Sequence, residues 1–214
     1  MKERYFQDLL FLFQLSMALI FGFFQIEQML FVSVEGVSIS AYLFTTIFVG
    51  VNTYFVLEAK KVFRDKLAVQ NFIIYSVGTF IYFIFTLILI IKSDWSLNDS
   101  QTSIVVLVVS SLILIKSNRE NLSIKDTKVK ADLGIVFRAV PHSFMAYKVF
   151  TEGGAGLSPV MIVMFHVLTI TRIILIYQSY QKLKTDINRK SVLRTELWNE
   201  GSWVLVTIAW FLKI

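Results

Sequence analysis

Seven apolar stretches, each about long enough to cross a bilayer as a helix, occupy most of this 214-residue chain. They run over residues 6–30, 38–58, 68–91, 101–116, 131–150, 157–181 and 194–213. A hydrocarbon core about 30 Å thick takes about 20 helical residues, and backbone polar groups inside it are satisfied only within a helix or a closed barrel. The runs are long and lack strand alternation, so the expected fold is all-α: a polytopic membrane protein with seven transmembrane helices. A content of 56% hydrophobic residues, with 20 Phe, leaves too little polar surface to cover a soluble globule. Lys2 and Arg4 precede an apolar run that continues through Phe24 without a small-residue cleavage site, which reads as a retained first helix.

Charge sets the expected orientation. With seven spans, the N-terminus and the connections after the second, fourth and sixth helices share one face, and that face carries 16 of the 21 Lys and Arg residues. The opposite face carries Lys92, Lys148 and Lys213. The positive-inside rule then puts the N-terminus in the cytoplasm and the C-terminus outside, in a cell membrane. A net charge of +6 that lines a membrane face is a topology signal beside anionic lipid, and no nucleic-acid partner is expected.

Three helices before residue 92 and three after residue 130 match in length and spacing, with a short helix between them. The chain therefore divides into a first three-helix bundle (1–92), a linking helix and basic loop (93–130) and a second three-helix bundle (131–214). An extra crossing is what lets two three-helix repeats run in the same direction. Phe24-Gln25 is followed, past the helix end, by Glu35-Gly36-Val37-Ser38-Ile39-Ser40, and Pro141-His142 by Gly153-Gly154-Ala155-Gly156-Leu157-Ser158-Pro159. In both, Gly supplies a turn and Ser opens the next helix.

With the three-one-three layout, these segments resemble the PQ-loop superfamily, which includes the SWEET sugar transporters, the KDEL receptor and the PnuC vitamin transporters. Gln25 follows Phe24 and His142 follows Pro141 here, in place of the family's Pro-Gln pair. The resemblance implies a transporter with its site between the two bundles, or a receptor that binds a peptide carboxylate without moving it.

Ionisable side chains at membrane depth cost about 2.5–3.5 kcal/mol each on insertion scales, so they need a partner, a cavity or a function. Arg138, Arg172 and Glu200 all fall on the order of 10 Å from the cytoplasmic boundary at 1.5 Å per residue. Asn52 and Asn199 lie near the same depth. Two Arg against one Glu leave a positive surplus, suited to an anionic or carbonyl-rich small-molecule substrate held by a guanidinium fork. The same residues would also serve a purely structural network, in which the two arginines share Glu200. His142, one turn from Arg138, is a proton-coupling candidate. Trp203, one turn beyond Asn199, would stack on a substrate ring or fill a lipid-facing position, and Trp198 and Trp210 read as interfacial anchors. Gly78 and Gly201 would allow close helix approach.

Other chemistry has little to stand on. The chain has no Cys, two His, no HExxH motif and no phosphate-cradling Gly loop, so neither catalysis nor a metal nor another cofactor is expected. A retinal protein needs a mid-helix Lys in its last span, where this chain has only the terminal Lys213. The reading is transport of a small polar or anionic metabolite, with a receptor or an accessory subunit of a membrane complex as alternatives. Partners are the lipid bilayer and the substrate, with room for a homo-oligomer or membrane-complex subunits.

Overall fold

The computed structural model describes residues 2–58, 66–182 and 187–213. Lys60, Lys61, Arg64 and Lys184, which belong to the basic face of the sequence reading, lie outside the described residues. The fold is all-helical, with no strand among the described residues. Helix α1 (Lys2–Glu27) runs into a π-helical turn (Gln28–Val32); α2 spans Ile39–Glu58, α3 Lys66–Lys92 and α4 Leu97–Arg119. Helix α5 (Thr127–Gly134) continues through a π-helical turn (Ile135–Ala139) into α6 (Val140–Glu152), making one rod; α7 spans Pro159–Lys182 and α8 Ile187–Phe211.

The local chemistry explains these boundaries. Ser96 and Asp99 form a reciprocal capping box that starts α4 four residues earlier than the apolar run suggests. Pro141 has no N–H to donate, and the wider π turn just before it, closed by the Val140 N–H on the Ile135 carbonyl, carries the rod past that gap. At the end of α1, Lys92 reaches across from α3 to the carbonyls of Met29 and Leu30. After α4, Lys128 bonds Glu120 at 2.9 Å and holds its carboxyl below the usual value.

Among the described residues, five helical segments are long and apolar enough to cross a membrane: Asp8–Val32, Ile39–Glu58, Ala68–Lys92, Leu97–Arg119 and Pro159–Tyr177. The α5–α6 rod and α8 are not among them. Both carry charge along their length: Arg138 and Lys148 in the rod, Arg194, Glu196 and Glu200 in α8. Apolar side chains point outward around the molecule, among them Leu12 and Phe23 of α1, Ile90 of α3 and Leu107, Leu112 and Ile115 of α4. A surface of that kind is what lipid covers.

Helix α3 lies between α1 and α2, and α8 lies between the α5–α6 rod and α7. Counting the α5–α6 rod as the fifth, α7 as the sixth and α8 as the seventh, α1 also packs on α7 and α2 on the fifth rod, so six rods close in the cyclic order first, third, second, fifth, seventh, sixth. Helix α4 stands outside this ring against the fifth rod and α2. One apolar cluster fills the interior, drawing Phe21 from α1, Tyr42 from α2, Tyr82 and Phe85 from α3, Met145 from α6, Phe165 from α7 and Trp203 from α8.

At one end of the ring the turns at 33–38 and 153–158 interlock. The Gly156 N–H donates to the Glu35 carbonyl at 3.0 Å. Gln25, fully buried, donates to the Gly156 carbonyl and accepts from the Ser158 N–H, both at 2.9 Å, so that α1 caps the start of α7. Backbones approach so closely that a Cβ on Gly36, whose φ is +75°, would lie 1.9 Å from the Gly153 carbonyl oxygen. Asp99 closes the same end between α2 and α4. Its carboxylate accepts from Ser38 Oγ (2.7 Å), Ser40 N (2.9 Å) and Ser40 Oγ (2.9 Å), and Lys148 lies 3.5 Å away.

Candidate functional site

The inward-facing charges meet in the middle of the ring. Arg138 comes from the π turn of the fifth rod, Arg172 from α7 and Glu196 from α8. Glu196 Oε1 lies 2.9 Å from Arg172 Nη2 and 3.4 Å from Arg138 Nη1. The Glu196 side chain is 4% exposed, whereas Arg172 is 32% exposed. Tyr75 and Tyr82 of α3, two turns apart on one face, are within electrostatic reach of Arg172, and Tyr82 also of Arg138 and Glu196. This trio, buried at Glu196 and partly exposed at Arg172, carries one net positive charge, supplied through the α7–α8 contact and completed from the fifth rod.

The carboxylate that joins the two arginines is therefore Glu196 and not Glu200. Glu200, one turn further along α8, points to α7 instead and lies 2.6 Å from His166 Nδ1. A single helical turn separates the two glutamates, less than the distance by which α8, starting at Ile187, begins ahead of residue 194, so a depth counted from the later start does not resolve one from the other. Asn52 is not brought to the trio by any described bond. It donates to the Phe48 carbonyl of its own helix at 2.8 Å and lines a groove of about 90 Å³ between α2 and the fifth rod, with Phe55, Lys130 and Phe137.

One turn or two along the same two rods are buried polar atoms without a partner among the described residues: both ring nitrogens of His142, both amide atoms of Asn199 and Trp203 Nε1, together with Glu196 Oε2 of the trio itself. Leaving a buried donor or acceptor unmet costs about 1–3 kcal/mol, so these six atoms have bonding capacity to offer in the ring interior. His142 and Asn199, both expected as site residues, are buried with their polar side-chain atoms unpartnered among the described residues. Trp203 meets its expectation only in part. It is 1% exposed, so the lipid-facing alternative is corrected; its ring is covered by Phe165 (4.3 Å between centroids) and His142 (4.8 Å), which leaves its N–H and not its face to offer a ligand.

Three further expectations change. Trp210 is buried and lies against Gly154, so it packs the turn end instead of anchoring at an interface, while Trp198 is exposed. Gly78 meets Val49 of α2 at ordinary contact distance, but nothing lies within 4 Å of a Cβ on Gly201, so no close approach occurs there. Lys148, expected on the outer face, is 4% exposed and forms a buried ion pair with Asp99, which is 0% exposed. The Ser96-x-x-Asp99 spacing is the signal that places Asp99 inside a helix start. Among the described residues no cluster of His, Cys, Asp and Glu is arranged to hold a metal.

No protein-family model, curated protein or solved structure matches the chain.

Proposed function

We propose that the chain is a seven-span membrane transporter rather than an enzyme, with its N-terminus in the cytoplasm, and that it carries a small anionic or carbonyl-rich metabolite through the centre of the helix ring. The observation that carries this reading is the Arg138–Glu196–Arg172 trio, with its positive surplus, together with the unpartnered His142, Asn199 and Trp203 N–H on the same two rods. A carboxylate or phosphate would take the free N–H positions of the guanidinium forks, and the amide and indole would bond its remaining polar groups. The pairings α1 with α7 and α2 with the fifth rod exchange the two halves of the chain, which favours two three-helix bundles around a linking helix and a likeness to the PQ-loop superfamily. Transporters built from repeats place substrate at the interface between them.

The test is a thermal-shift panel of carboxylates, phosphate esters, amino acids, nucleosides and sugars on the purified protein, followed by liposome uptake of any stabilising compound. An anion that stabilises the wild type, enters wild-type liposomes and loses its effect in Arg138→Lys supports the reading, because Lys keeps the charge but lacks the fork. Stabilisation without uptake makes the protein a receptor. A panel with no anionic hit leaves the trio a structural network and the chain an accessory subunit.

A further inference from the structure

A second, part-buried polar cluster lies one turn from the trio, on the α7–α8 contact, and the proposed transport cycle above does not use it. His166 Nδ1 is 2.6 Å from Glu200 Oε1, and His166 Nε2 is 2.7 Å from Thr207 Oγ1. Thr207 Oγ1 is in turn 2.9 Å from the Trp203 carbonyl, one turn back along α8. We propose that His166, Glu200 and Thr207 form a proton-binding site that takes up one proton for each monoanion held at Arg138 and Arg172. This rests on the anion-carrying reading of the trio.

The hydrogen bonds accommodate both protonation states. An ionised Glu200 only accepts, so the Nδ1–H of His166 donates to it in either state. In neutral His166 the Nε2 lone pair accepts the Thr207 hydroxyl proton. When a proton from water binds Nε2, the new N–H donates to Thr207 Oγ1, and the hydroxyl proton turns to the Trp203 carbonyl, which is already within bonding distance. No bond is stranded in either state, and the proton enters and leaves with no other group changing charge.

Charge balance links this cluster to the trio. Arg138 and Arg172 stand against Glu196 and Glu200, so the interior is neutral while His166 is neutral. A monoanion at the arginines leaves one negative charge in excess in a low-dielectric site, and a proton on His166 cancels it. The groups that act on His166 are few. Helix α8 presents Glu196 and Glu200, α7 has no other ionisable residue between Pro159 and Arg172, and α1 has none between Asp8 and Glu27.

Two histidines in the chain make the test direct, since His labelled with nitrogen-15 gives the imidazole signals of only two residues. The full-length protein in lipid nanodiscs is titrated by NMR from pH 4 to 9, with His166→Asn assigning the His166 signals. Glu200→Gln and Thr207→Val should lower the His166 midpoint, because each removes a partner of the imidazolium. Arg138→Gln, which cancels one positive charge as a bound monoanion does, should raise the midpoint. Glu196→Gln should lower it, so a variant that fails to fold leaves others of known sign. A His166 that never titrates, or whose midpoint ignores both Glu200→Gln and Arg138→Gln, overturns the site. Binding or uptake of an anion alongside a silent His166 would leave the transport reading standing and end this inference alone. A responsive His166 with no anionic hit in the panel would keep the proton-binding cluster but end the transport reading and the coupling that depends on it.

Discussion

Glu196 answers two guanidiniums with one carboxylate, and its removal leaves Arg138, largely buried, and the partly exposed Arg172 without their shared partner. Breaking a buried ion pair by deleting one partner costs about 3–5 kcal/mol, so Glu196→Gln should lower the unfolding temperature of the detergent-solubilised protein more than Arg138→Gln does, since the 2.9 Å pair to Arg172 survives the latter. Glu200→Gln should cost clearly less than Glu196→Gln, because neither arginine depends on it. Equal losses from the two glutamate variants would contradict the assignment of Glu196 as the shared carboxylate. The two arginines were legible in the sequence because charge at membrane depth is costly and therefore conspicuous. Their partner was not, since helix ends read from sequence are uncertain by more than the single turn that separates Glu196 from Glu200.

Among the elements, helix ends matter more than helix faces. Helix α2 begins against Asp99 of α4, not against a residue of its own bundle, so Asp99→Ala removes three bonds at its first turn and leaves Lys148 buried without its closest carboxylate. A loss of about 3–5 kcal/mol is expected in reversible denaturation, and Lys148→Met in the same background should restore part of it. The interlocked turns give a steric counterpart. A Cβ on Gly156 would lie 2.6 Å from the backbone carbon of Val34, so Gly156→Ala forces the turns apart and should be strongly destabilising. Gly201→Ala meets nothing within 4 Å and should be neutral or stabilising by up to about 1 kcal/mol through helix propensity. Thermal unfolding of the two variants side by side checks both signs. The Gly-rich turns and the Ser that follows them were readable as breaks and helix starts; their contact with each other joins residues more than a hundred positions apart, which no local pattern encodes.

For the whole molecule, the number of crossings decides which ends share a side. Seven crossings place residue 122, in the connection after α4, and the C-terminus on opposite sides of the membrane, and reporter fusions at the two positions should show the first cytoplasmic and the second external. Both reporters on one side would reject seven crossings. The apolar length of five helices was plain in the sequence, while the fifth rod and α8 carry the charged interior and so fall outside the same measure of apolarity. Those two rods hold Arg138, His142, Glu196, Asn199 and Trp203, so the least lipid-like helices carry most of the candidate site.

The clasp between the two turns also imposes a schedule on biogenesis. Gln25 finds its acceptor 131 residues later in the chain, at Gly156, whereas Ser38 meets Asp99 only 61 residues on. At a synthesis rate of roughly 5–20 residues per second, the first helix waits on the order of ten seconds for its partner to leave the ribosome. The start of α2 is secured well before the start of α7. For that interval the newborn first half holds an amide at membrane depth whose final partner does not yet exist, and a chain interrupted before residue 156 is left with that amide exposed to whatever the insertion machinery and lipid can offer it.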